Sequence, residues 1–251
     1  MALTKTLKEQ GIKAEYNSFD VSPRFETLTA LGIPHFELFL EQSMKEYMGR
    51  KLKSEMVAGW IMKTPFFSSL FNMLPALSQM ILLGHIIDKL NADPSLHIVI
   101  DAPASGHCLT LFQSTHNFKD MFKDGLLVED INKMHAFLHT PGNLEIWITT
   151  LPSRMAIQEG AELGEKLSSM NIDNIKFLAN GNLSQVPYIK NKDAELPEFL
   201  RQKVTMEDEA LSDISDLTDS KIGVLPYFTD IKFENIVNSA NKYLQGDFKW
   251  S

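Results

Sequence analysis

Apolar residues fall into two rhythms along this chain. One recurs every three to four residues, as in an amphipathic helix; the other comes as short, β-branched runs closed by turn residues, as in a strand. Residues 2–10 have the helical rhythm and stop at Gly11, a glycine signal for a helix end. Residues 13–19 read as a short strand that ends at Asp20. From 33 to about 90 the pattern is helical, with breaks near Thr64-Pro65 and Leu74-Pro75, because proline lacks the amide a helix needs and disfavours helix before it. The run His97-Ile98-Val99-Ile100 stops at Asp101, and residues 144–150 stop at Leu151-Pro152. A helix over 154–170, a strand over 174–179 with the turn Asn180-Gly181-Asn182, and an acidic helical stretch follow. A strand over 221–225 before Pro226 and an amphipathic helix over 232–244 close the pattern. Strands separated by helices of this length predict a single α/β domain over 1–251. Its sheet is doubly wound and mostly parallel, and 33–92 is inserted as a helical subdomain. Ligands bind such sheets at the carboxyl ends of the strands, where Asp20, Asp101, Asn180 and Pro226 fall.

Composition narrows the class. The chain has 251 residues, 44% of them hydrophobic and 22% charged, which suits a packed core and excludes a disordered or low-complexity protein. No apolar run approaches the roughly 18–20 residues that span a bilayer, and the first ten residues lack the apolar centre of a signal peptide. A soluble, cytoplasmic protein with no direct membrane span is expected. The lone Cys108 excludes an internal disulfide and a four-thiolate zinc site within one chain. Net charge is −8, which argues against nucleic acid as a partner. The charge is concentrated between Asp193 and Asp219, where nine acidic residues face only Arg201 and Lys203. This segment, 193–219, reads as a solvated surface helix, with recruitment of a basic partner as the alternative.

The sharpest chemistry lies in the run from His97 to His107, HIVIDAPASGH. An apolar strand ending in aspartate is the Walker B arrangement, which holds a carboxylate near a magnesium ion. The small-residue loop after it lets backbone approach a phosphate and move when the phosphate leaves. A strand-end aspartate that merely caps the next helix satisfies the same four-residue pattern.

Residues 97–116 resemble the switch II region of the arsenical-pump and tail-anchored-protein-targeting ATPases, MinD-like P-loop NTPases with a deviant Walker motif. The matching residues are Asp101, Ala102, Pro103, Ala104, Ser105, Gly106, His107, Leu109 and Leu111. Downstream, Ile148 to Pro152 with Ala156, Gln158 and Glu159 is similar to a family strand–loop–helix. The run from Lys176 to Asn180 is similar to the strand ending in an adenine-contacting asparagine, and Gly223 to Phe228 to the strand whose loop closes over the base. Upstream, residues 70–84 resemble a helical segment of bacterial members. The resemblance implies a P-loop NTPase-like fold and hydrolysis of ATP to ADP by a water, with switching coupled to the helical subdomain. Asp101 would hold Mg²⁺ through water, and Ala104, Ser105 and Gly106 would lie against the phosphates. Asn180 and Pro226 would lie at the adenine. Asp20 falls at the switch I acid, although the residues after it depart from the family's Asp-Pro-Ala-His-Ser; a polar turn residue before Pro23 is the other reading. A homodimer or a paralogous ATPase subunit is the implied partner.

One departure outweighs these matches. No G-x-x-x-x-G-K-[ST] occurs anywhere, and residues 2–20 match the family only from the helix after the P-loop onward. The chain is therefore expected to start inside that helix, to be inactive as it stands, and to leave the sheet centre open, since the family's first strand lies beside the Walker B strand. A non-hydrolysing binding or scaffold subunit with the same fold is the alternative. The zinc-bridging CxxC of some relatives is absent, and a single cysteine disfavours any role with arsenite.

Six of the twelve methionines lie between Met44 and Met80, interleaved with Tyr47, Trp60, Phe66, Phe67 and Phe71. From Trp60 to Leu83 the only charge is Lys63. Such a stretch is buried, sits in an interface or receives an apolar ligand. A hydrophobic helix is the client that the resemblance implies, and burial of Trp60, Phe66, Phe67, Phe71 and Met73 would exclude it.

Overall fold

A computed structural model of the chain describes residues 1–19, 22–65, 75–102, 106, 108–113, 126–190, 196–218 and 220–250. It divides into two compact units, Leu3–Thr140 and Pro141–Ser251. The molecule is α/β, with two small sheets that are parallel throughout.

In the first unit, α1 (Ala2–Glu9) leads into β1 (Ala14–Asn17). Gly11 turns the chain at φ +80°, a conformation that favours glycine, and the Ile12 amide closes the helix on the Leu7 carbonyl at 2.9 Å. α2 (Phe25–Ala30) follows, then α3 (Leu40–Leu52), α4 (Glu55–Met62) and α5 (Pro75–Ala92). β2 (His97–Ile100) and α6 (Leu126–His139) complete the unit. α3 packs on α4 and α5, and α5 packs on β2 and α6. Leu28, Met80, Ile86 and Ile131 are its most deeply buried apolar side chains, each stabilising the fold by about 1.5–3 kcal/mol.

β1 and β2 pair in parallel, Ala14 opposite His97 and Asn17 opposite Ile100. The His97 amide donates to the Lys13 carbonyl and the Asp101 amide to the Asn17 carbonyl, both at 2.8 Å. Backbone groups alternate in direction along a strand, so Ile98 and Ile100 turn theirs to the opposite edge. That edge has no strand beside it among the described residues. Three of the four β2 residues, Ile98, Val99 and Ile100, are half-buried, whereas an interior parallel strand is covered on both faces.

In the second unit, β3 (Ile146–Thr150), β4 (Ile175–Asn182) and β5 (Lys221–Pro226) form a parallel sheet in that order. α7 (Arg154–Ser168), α8 (Pro187–Lys190), α9 (Glu198–Leu217) and α10 (Phe233–Gln245) connect or flank the strands. α7 lies against β3 and β4 because Gly160 and Gly164 face Ile148 and Phe177 without a side chain between them. On β5, Gly223 leaves the room that the Phe248 ring fills.

Most elements lie within a few residues of their expected bounds, with three corrections. Residues 33–39 are not helical: His35 bridges Tyr16, and the Tyr16 amide donates to the Pro34 carbonyl at 2.8 Å. α3 ends at Lys53, which adopts a left-handed φ of 53°, so the helical stretch breaks there as well as near the prolines. The described part of α5 begins at Pro75, so the expected break at Leu74-Pro75 falls at the edge of the described residues. Asn180-Gly181-Asn182 is not a terminating turn. Gly181 bulges at φ +84°, and the strand continues until Asn182 pairs with Pro226. Helices α2, α6 and the short α8 have no counterpart in the expected pattern. No helix among the described residues is long and apolar enough to cross a membrane.

Candidate functional site

Asp101 stands at the carboxyl end of β2 with its side chain exposed. The Tyr16 hydroxyl donates to its Oδ2 at 2.7 Å, while the Tyr16 ring is 2% exposed. Burial first, and then the hydrogen bond to Asp101, raise the Tyr16 pKa above its ordinary 10. The phenol therefore stays a donor, and one carboxylate oxygen is held from beneath. α1 begins nearby: burial lowers the pKa of the Met1 amino group, and the Asp101 charge acts on it in the opposite sense.

The end of β1 is tied just as closely. Asn17 is buried, its Nδ2 donating to the Phe36 carbonyl and its Oδ1 accepting from the Phe19 amide, each at 2.9 Å. Phe19 is buried at φ 57°, which costs a bulky residue on the order of 1–3 kcal/mol. Asp20, Ala104 and Ser105 lie outside the described residues. Gly106 is exposed, and a Cβ there would meet nothing within 4 Å. Cys108 is half-buried, which raises its thiol pKa and keeps it unreactive near neutrality.

In the second unit the ends of β4 and β5 bring Asn180 and Pro226 onto neighbouring strands. Asn180 is exposed and Pro226 buried. The Tyr227 amide donates to the Asn182 carbonyl at 3.0 Å, and the Tyr227 ring, 53% exposed, flanks the bulge at Gly181. Asn182 is fully buried; its Oδ1 accepts from the Ser184 hydroxyl at 2.6 Å and the Gln185 amide at 3.1 Å, while its Nδ2 has no partner among the described residues. Glu207, on the buried side of α9, accepts from the Leu183 amide at 2.8 Å and fixes the loop after β4.

Asp101 alone suits a magnesium ion of the kind held by one carboxylate together with substrate phosphates and waters. No group of three or more histidine, cysteine, aspartate or glutamate residues that could hold a metal ion occurs among the described residues. The residues present do not fit a triphosphate. Binding one needs a glycine-rich turn of backbone amides and a lysine, and the sequence has no such motif.

Tyr16 and Asn17 escaped the sequence pattern. Their only signal is polar atoms inside a strand that is otherwise buried, which marks them as satisfied groups without naming their partners. No protein-family model matches the chain, and no curated protein matches it.

Proposed function

We propose that this chain is an ATPase-like protein of the arsenical-pump and tail-anchored-protein-targeting group. In the first unit Asp101 takes the magnesium-side role that the resemblance gives it, and in the second unit Asn180 and Pro226 take the base-side roles. The observation that supports this reading best is the apolar parallel strand β2 delivering an exposed carboxylate at its carboxyl end. The glycine-rich lysine loop that this reading needs for the phosphates is not among these 251 residues. Asp20, Ala104, Ser105 and Gly106 keep the roles that the resemblance gives them, and the doubly wound P-loop-like sheet is part of the same proposal.

The second reading, a non-hydrolysing scaffold subunit, is favoured by the missing phosphate motif. Both readings share an apolar partner, either a hydrophobic helix or a second subunit, on α4, whose Met56 and Trp60 are 86% and 73% exposed one turn apart. Phe66, Phe67, Phe71 and Met73 lie outside the described residues. Crosslinking from position 60 to an apolar helical peptide tests that surface.

Equilibrium dialysis with Mg·ATP separates the readings. The 251-residue chain should bind no ATP at micromolar concentrations. The same chain preceded by a strand and a glycine-rich lysine loop should bind it. In that extended protein Asp101→Asn should lower turnover by roughly a hundredfold, the scale of removing one electrostatic stabiliser, with little loss of nucleotide affinity. An extended protein that binds no ATP favours the scaffold.

A further inference from the structure

Between α3, α5 and α6 lies a cavity of about 310 Å³, lined by side chains of all three helices. Its floor is apolar: Met80, Ile81, Ile131 and Met134 are each less than 9% exposed. Its mouth is polar. Asp130 accepts from the Tyr47 hydroxyl at 2.8 Å and from the Lys51 ammonium at 2.7 Å, and Arg50 donates to Asp88 at 2.6 Å.

Gly84 supplies the independent clue. It sits inside the 18-residue helix α5 and lines the cavity, where glycine weakens a helix relative to alanine. Close packing does not explain it. A Cβ at Gly84 would meet only the Met134 sulfur, at an ordinary 3.5 Å, whereas at Gly160 one would meet Thr150 at 2.6 Å. The glycine opens space rather than permitting contact. An apolar space of this size destabilises a fold unless something fills it.

We propose that this cavity binds a small amphipathic carboxylate, its hydrocarbon body on the methionine–isoleucine floor and its head at Arg50 and Lys51. The volume is at the small end of ligand pockets, about 300–1,000 Å³. None of the described residues that line it belongs to α4. The site is thus separate from the apolar face of α4, and it does not depend on the ATPase reading. The head is an acceptor because the mouth is rich in donors. Asp130 already accepts two hydrogen bonds, while the Arg50 guanidinium carries five N–H groups on an exposed side chain whose ion pair with Asp88 is easily exchanged. Lys133, also at the mouth, turns to Glu129 at 2.6 Å.

Calorimetric titration of the full chain with decanoate, decanol and decyltrimethylammonium tests the site. Saturable one-to-one binding of decanoate is expected, about tenfold or more tighter than decanol. Gly84→Leu, which fills the space, should weaken decanoate by about tenfold or more with an unchanged circular dichroism spectrum, and Gly84→Ala should bind nearly as the parent does. Arg50→Gln should weaken decanoate but not decanol. Absence of saturable decanoate binding overturns the proposal, as does an undiminished affinity in folded Gly84→Leu. Equal binding of the cationic amphiphile overturns the carboxylate head. Sedimentation with phosphatidylglycerol vesicles that Gly84→Leu leaves intact, without decanoate binding, would assign the contact to a lipid surface and overturn the cavity.

Discussion

Tyr16 joins β1 to β2 through the single atom it offers Asp101. Removing it with Tyr16→Phe leaves a carboxylate without its donor and should cost about 1.5–3 kcal/mol in urea unfolding, as for hydrogen bonds to charged groups. The same bond sets a pH dependence. The Tyr16 pKa is raised in the folded chain above its ordinary 10, so the contribution is complete below pH 10 and is lost as pH rises through the folded value. Tyr47 repeats the pattern against Asp130, burial again the larger cause. Stability should therefore decline above about pH 10, and the double variant Tyr16→Phe with Tyr47→Phe should flatten that decline in urea midpoints measured across it. Asp93 shows the opposite sign on the surface. Hydrogen bonds from Lys13, and then from Ser95, hold its pKa at about 2, so its contribution is present above the usual 3.8 and is lost as pH falls through 2. A carboxyl-detected NMR titration should place Asp93 near 2, and Lys13→Met should return it toward 3.8.

Helices and strands were legible where one physical signal dominated. β2 has the expected limits because the apolar run Ile98-Val99-Ile100 is followed by a turn-forming Asp-Ala-Pro, and α7 nearly so because Ile157, Ala161 and Leu167 keep a single buried face. α6 does not stand out in the sequence pattern although Ile131, Met134 and Leu138 repeat at helical spacing and Pro141-Gly142 follow its last turn. The bulge at Gly181 reads as a terminating turn because Asn-Gly-Asn suits a turn equally well; only the pairing of Asn182 with Pro226 across the sheet shows that the strand goes on. Asp101 follows β2 and Pro226 ends β5, as the alternation of elements required, whereas Asn180 lies inside β4, two residues before its end. The tyrosine beneath Asp101 and the cavity under Gly84 depend on contacts between residues far apart in sequence, which local periodicity does not encode. Two glycines in helices test this distinction. Gly160→Ala puts a methyl 2.6 Å from the Thr150 side chain and should cost about 1–3 kcal/mol by overpacking. Gly84→Ala meets no such contact and should gain about 0.5–1 kcal/mol from helix propensity. Thermal unfolding of the two variants should shift in opposite directions.

At the scale of the whole molecule, each unit has its own sheet and its own buried side chains. Phe177 and Ile157 serve Pro141–Ser251 as Leu28 and Ile131 serve Leu3–Thr140. Expressed alone, residues 141–251 should unfold in one cooperative transition followed alike by circular dichroism and by fluorescence of Trp147 and Trp250, whose rings meet at 4.8 Å. Non-coincident transitions would show that the unit is not independent. The ladder of β2 has a further outcome, visible one amide at a time. Val99 and Asp101 turn their N–H groups toward β1, while Ile98 and Ile100 turn theirs away. Deuterium should accordingly enter at Ile98 and Ile100 almost as fast as into an unstructured peptide and wait for local opening at Val99 and Asp101. A four-residue strand would thus keep two clocks, one set by water and one by the fold, and any chain that came to lie along its outer edge would be recorded as the moment the fast clock slowed.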